Sequence, residues 1–262
     1  MSVDRIAGVL WQEVYITRRS LEVIVDLFYT SAVTVVVFGF VSRFLVGVTH
    51  QSAGSYLILG LLLWEVIRVN QYSLTVGSLW NIWSHNLSNM FVAPLSVAEY
   101  IVAHLLSALV KTVVIFCGIS AVAAWGFHFD VLRLGAVNVA LFFVNLTVFA
   151  WSVGLVLLGV IFQVGTRIQA LAWGMIFLFQ PLTAAFFPVA ALPPAVQAIA
   201  YALPPTFVFE AARRALDVPG VNWTFIGAAT AENAIYLALA VGVFAWMVAR
   251  SRATGRLARS EG

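Results

Sequence analysis

The feature that most limits how this chain can fold is a series of apolar runs, each near or beyond the roughly 18 residues at which a helix becomes long enough to cross a bilayer. They are expected at 24–44, 56–76, 97–125, 134–162, 168–187 and 225–249. In hydrocarbon every backbone N–H and C=O must be satisfied within the protein, so such runs are read as helices. Composition agrees: 62% of the 262 residues are hydrophobic and 10% charged, against about 25% charged in soluble domains, and the mean hydropathy is +0.99. The expected fold is an all-α integral membrane protein of six transmembrane helices, in a single domain covering 1–262.

Six crossings put both termini on one side. Arg5, Arg18, Arg19, Arg167, Arg250, Arg252, Arg256 and Arg259 then share that side, and Arg43, Arg133, Arg213 and Arg214 lie opposite. The positive-inside rule makes the richer side, and so the termini, cytoplasmic. The surplus of basic residues, +3 overall, is read as topology and lipid contact, with no nucleic acid partner. The first residues lack the basic start and cleavage site of a secretory signal, so the first span is expected to act as its own insertion signal. Residues 1–22 place Ile6, Val9, Leu10 and Val14 at helical spacing, with Gln12, Glu13 and the arginines breaking up the remainder. That pattern predicts an amphipathic helix at the cytoplasmic interface.

Two connections are long. Segment 77–96 is cytoplasmic and mixes aromatic with polar residues; segment 188–224 is external, and its paired prolines break an apolar stretch into short or re-entrant helices. Within the spans the deepest ionisable residues are Glu65, Arg68 and Lys111. Each costs about 2.5–3.5 kcal/mol at mid-membrane unless paired or wet. Similar depth predicts a Glu65–Lys111 pair between neighbouring helices, with Arg68, three residues on, sharing the carboxylate. The group either lines a translocation path or locks two helices together. Asn70, Gln71, Asn138, Asn145, Gln163 and Gln180 are expected to bond between helices, and Gly154 and Gly159 to mark close helix packing.

Two stretches carry a family resemblance. NMFVAPLSVAEYIVAHLLSAL (89–109) and FFPVAALPPAVQAIAYALPPTFVFEAARRAL (186–216) stand in the order and spacing seen in the ABC-2 family of transporter permeases. The first resembles the family's cytoplasmic turn with its Pro-Leu-Ser step into the third span. The second is similar to its external Phe-Pro, Leu-Pro, Pro-Thr and Glu-Ala-x-Arg succession. Where members often carry a basic residue and a Gly-Thr-Leu-Glu-like run, this chain has His85, Asn86, Leu87, Ser88 and Asn89. The resemblance implies a permease that pairs with a second copy and binds two copies of a separate nucleotide-binding subunit, where ATP and Mg reside. It also implies a short coupling helix between Trp80 and Phe91, with Trp80, Trp83, His85, Asn86, Met90 and Phe91 toward that subunit. Glu210, Arg213 and Arg214 on the external segment either meet a polar substrate or lipid headgroups, or pair at one-turn spacing.

The sequence holds no phosphate-binding Gly-x-x-x-x-Gly-Lys-Ser/Thr loop, and its one lysine sits in an apolar run, so ATP would have to be bound elsewhere. No catalytic residues, cofactor or metal are expected in the chain: the four histidines are scattered, and Cys117 is the sole cysteine. The expected function is export of an amphipathic or lipid-linked compound (a glycan, a lipooligosaccharide or a hydrophobic drug or metabolite) across a prokaryotic plasma membrane. A secondary transporter or channel independent of ATP is the alternative, and an intramembrane enzyme lacks the nucleophile and base it would need.

Overall fold

The computed structural model describes residues 1–48, 51–84, 86, 90, 94–165 and 169–254, with backbone alone at 47, 48 and 51–53. Its elements are all helical. Helix α1 (Val3–Arg19) ends at Ser20, whose extended backbone breaks the helix and whose hydroxyl accepts from Val23 N to start the next one. There α2 (Leu21–Ile24) passes through a π turn (Val25–Tyr29) into α3 (Thr30–Val48). Then come α4 (Gln51–Trp83), α5 (Val97–Phe127), α6 (Ala136–Val164), α7 (Gln169–Leu182), α8 (Pro194–Ala200), α9 (Pro204–Asp217) and α10 (Trp223–Ala253).

Five stretches are long and apolar enough to cross a membrane: Leu21–Val46, Gly54–Trp83, Val97–Phe127, Ala136–Val164 and Trp223–Ala253. The run expected at 168–187 contains instead the 14-residue helix α7 followed by turns. Pro181 lies in its last turn, and Ala184 takes left-handed backbone at φ 50°. A proline supplies no helical donor and a left-handed residue stops the spiral. At 1.5 Å per residue α7 is about 21 Å long, shorter than a hydrocarbon core of about 30 Å.

Helix α4 is the centre of the bundle. Ninety-four per cent of its most apolar window is buried, enclosed by α3, α5, α6, α7 and α9. It also has the lowest mean hydropathy of the five spans, 1.2, and these facts belong together: a helix wrapped in protein need not be apolar all round. Its polar side chains Glu65, Asn70, Gln71, Ser73, Thr75, Ser78 and Asn81 are all buried. All but Ser73, whose hydroxyl has no partner among the described residues, find partners inside, as buried polar groups tend to. Asn70 donates to Thr147 Oγ1 at 3.3 Å and accepts from Trp151 Nε1 at 3.1 Å, and Gln71 Nε2 reaches the Ala172 carbonyl at 2.9 Å. Farther out, Asn145 on α6 accepts from Asn233 on α10 at 3.0 Å, and Gln163 donates to the Met247 carbonyl at 3.4 Å. Four of the six expected glue residues, Asn70, Gln71, Asn145 and Gln163, therefore join helices. Gly154 and Gly159 lie against Leu74 and Met247, where an added Cβ would come within 2.7 Å of a side-chain atom.

Helix α4 also extends farther than the sequence implied. Residues 77–83 belong to it rather than to a separate connection, because Ser78 bonds back to the Leu74 carbonyl and Asn81 donates to Tyr100 Oη and accepts from Gln12. The proline-rich stretch breaks up as expected: a 3₁₀ turn (Val189–Ala191), then α8 and α9, each with proline at its start, where a missing N–H costs nothing. The Pro-Leu-Ser step is the start of α5. Ser96 and Glu99 form a reciprocal capping box there, with Ser96 Oγ accepting from Glu99 N and Glu99 Oε2 from Ser96 N.

Candidate functional site

Glu65 and Arg68 lie on one face of α4, three residues apart, midway along its span, and bond as a fork. Arg68 Nε donates to Glu65 Oε1 at 2.9 Å and Nη2 to Oε2 at 2.7 Å. Nη2 also donates to Ser31 Oγ at 2.7 Å, and the Ser31 hydroxyl lies 2.6 Å from both Glu65 Oε2 and the Leu27 carbonyl. The node is buried, Glu65 at 3% and Arg68 at 10% side-chain exposure. A bidentate, hydrogen-bonded geometry is what lets such a pair sit in low dielectric. The π turn of the first span completes it: Arg68 Nη1 donates to the Asp26 carbonyl at 3.4 Å, and Tyr72 Oη, one turn along α4, donates to Asp26 Oδ2 at 2.7 Å. Single π turns recur at functional positions in helices.

Beside this node lies a cavity of about 380 Å³ between the start of the first span, α4 and α7, within the size range of small-molecule sites. Arg68, Gln71 and Tyr72 form its floor, Glu22, Asp26 and Thr30 one wall, and Trp173, Ile176 and Phe177 the other. Trp173 and Phe177 stand one turn apart and are 39% and 49% exposed, so the aromatic wall reaches the bundle surface.

Lys111 is not the partner of Glu65. Its ammonium donates to Glu13 Oε2 at 2.8 Å, and Glu13 is buried between α1, α4 and α5 at 2% exposure. Gly77 makes room for that carboxylate: a Cβ there would meet Glu13 Oε2 at 3.5 Å. His104 Nε2 lies 3.4 Å from Glu13 Oε1, while its Nδ1, 3.0 Å from the Tyr100 carbonyl, carries the proton that bond requires. Burial would push the Glu13 carboxyl up, but His104 and Lys111 outweigh it and hold it well below the usual carboxylate range. Helix α1 thus turns an acid inward that its sequence pattern placed among its polar breaks. Its other end is also held, by Ser2 N on Glu99 Oε1 at 2.7 Å and by Arg5 at 3.6 Å from Oε2.

On the proline-rich side, Arg213 donates to Glu210 Oε1 and to the Ala184 carbonyl, both at 2.9 Å, and Glu210 Oε1 also accepts from Val189 N. The pair ties α9 to the irregular chain after α7. Arg214 stacks instead on Phe225, 4.4 Å from the ring centroid. Of the expected coupling residues, Trp80 and Trp83 form the end of α4, packed edge to face at 5.2 Å. Met90 N bonds to the Asn86 carbonyl at 3.0 Å, and Met90 packs on the core. His85 and Phe91 lie outside the described residues.

Asp26, Glu22, Trp173, Phe177 and His104 were not singled out in the sequence. A signal existed for one of them, since Asp26 is an acid inside the first apolar run. The pattern of the family described as ABC-2 family transporter protein matches residues 84–250. The chain belongs to the ABC-2 transporter family. No individually curated protein matches it. As an ABC-2 family member it is a membrane subunit for transport rather than a catalytic enzyme, and the family implies an ABC ATPase as partner.

Proposed function

We propose that this ABC-2 protein is the membrane half of an ATP-driven exporter that moves an amphipathic or lipid-linked compound outward across a prokaryotic plasma membrane. The observation that carries the reading is the cavity between the first span and α7, with its polar floor on α4 and its aromatic wall at the bundle surface. Such a compound needs water-like partners for its head and apolar contact for its tail, and this cavity offers both within one turn of helix.

In this reading the chain crosses six times, with α7 and the turns after it making the fifth crossing, and both termini are cytoplasmic. Helix α1 lies at the inner interface with Trp11 and Tyr15 outward. Segment 84–96 and the tryptophans preceding it dock a nucleotide-binding subunit, two copies of which hold ATP and Mg and close against a pair of permeases. Residues 188–224 cover the outer face. The test is to purify the chain with the ATPase encoded beside it in mild detergent and to measure ATP turnover across candidate amphiphiles. Association and stimulated turnover are expected. Absence of any associated ATPase would overturn the exporter reading.

A further inference from the structure

We infer that the cavity selects amphiphiles with a cationic head, an inference that rests on the transport reading and names its substrate class. The argument is an account of which polar atoms are already used. Arg68, the lining's one fixed cation, spends four of its five N–H groups on Glu65, Ser31 and the Asp26 carbonyl, and Glu65 neutralises its charge. Tyr72 gives its hydroxyl proton to Asp26, and Thr30 gives its own to the Val25 carbonyl.

Gln71 is the decisive residue. It is 1% exposed, and both protons of Nε2 are taken, by Thr75 Oγ1 and by the Ala172 carbonyl, each at 2.9 Å. Because a carbonyl only accepts, the amide nitrogen must point toward Ala172, and Oε1 is left as an acceptor with no donor among the described residues. The floor of the cavity therefore holds an oxygen that accepts from no described residue.

The wall continues the pattern. Asp26 keeps one carboxylate oxygen with no donor among the described residues, and Glu22, one turn before it on the same helix face, has no basic partner there. The remaining donors are one N–H of Arg68 and the indole of Trp173. Counted with Glu65, three acids face one base, an excess of negative charge that favours a cation. Trp173 and Phe177 complete the match, since aromatic faces attract a cation and accept its apolar substituents. A phosphate- or sulfate-headed amphiphile would instead meet two carboxylates and a donor-poor floor.

The experiment uses the full chain, with its co-purifying ATPase, in lipid nanodiscs. Two probes of the same shape and opposite charge, tetraphenylphosphonium and tetraphenylborate, are compared in equilibrium binding, and a two-chain trimethylammonium lipid is titrated into the disc as a competitor. Tetraphenylphosphonium should bind and the borate should not displace it. Asp26→Asn, which retains an oxygen for Tyr72, and Glu22→Gln should each weaken the cation by about tenfold, as loss of one close opposite charge implies. Displacement by the cationic lipid would assign the head group to a lipid, and its failure to displace would assign it to a soluble organic cation. Preference for the borate, or unchanged cation binding in both variants, would overturn the inference. Charge-selective binding with no response of ATP turnover to any probe would instead overturn the exporter reading.

Discussion

Lys111 on the third span donates to Glu13 on the N-terminal helix over 2.8 Å, with both side chains at least 88% shielded from solvent. This contact fastens α1 to the bundle through charge. Removing either partner strands the other in low dielectric, which costs about 3 kcal/mol, whereas removing both leaves no orphan charge. Glu13→Gln and Lys111→Met should each lower the thermal unfolding temperature in detergent more than half as much as the double variant, with a coupling of about 1–3 kcal/mol. Glu65→Ala combined with Lys111→Ala should be additive, because these residues belong to separate nodes.

The same carboxylate sets an acid limit. With its folded pKa held well below the unfolded value of about 4.3, Glu13 contributes stability that is complete above that value. The contribution fades as pH falls through the folded value, because protonation then favours the unfolded chain. Thermal unfolding between pH 7 and pH 3 should show the wild type losing stability at the acid end, on the order of 2 kcal/mol from this group. Glu13→Gln should start lower and show a flatter curve. Equal slopes would remove Glu13 as the titrating group.

The difference between Glu65 and Lys111 marks how far the sequence could be read. Glu65–Arg68 and Glu210–Arg213 were legible because spacing of three residues puts both groups on one helix face, whatever the rest of the fold does. Lys111 was given the wrong partner, since hydropathy reports position along a helix and not which neighbour it faces. Its long stem reaches Glu13 on α1, which packs along α5. The cavity was illegible for the same reason: Asp26, Gln71 and Trp173 come from three elements far apart in sequence. Helix α4 ran past its expected end because Ser78 and Asn81, polar in the sequence, are satisfied inside the bundle.

Gly60 should tolerate substitution least among the membrane glycines. A Cβ there falls on the carbonyl oxygen of Ala185, a backbone atom fixed by the turn after α7, so Gly60→Ala should destabilise by about 1–3 kcal/mol. At Gly227 and Gly242 a Cβ meets nothing within 4 Å. Alanine at those helical positions should be neutral or gain up to about 1 kcal/mol in the isolated chain. Thermal unfolding of the three variants side by side checks the order, and a tolerant Gly60 would disprove the close approach of α4 to that turn.

Arg213 and Arg214 are adjacent, yet they should respond in opposite ways. Arg213 is 6% exposed and supports a carboxylate and the Ala184 carbonyl at once, so Arg213→Ala leaves the carbonyl without this donor and Glu210 without its counter-charge, held by Val189 N alone, and should cost about 3 kcal/mol. Arg213→Lys should recover only part of this, because an ammonium lacks the planar fork that reaches both groups. Arg214 only covers the face of Phe225, and Arg214→Ala should cost about 1 kcal/mol or less. The informative readout is local: hydrogen exchange at Val189 N, which bonds to Glu210, should accelerate in Arg213→Ala and stay unchanged in Arg214→Ala. Equal exchange in the two variants would mean that the Glu210–Arg213 pair does not order the chain between α7 and α9.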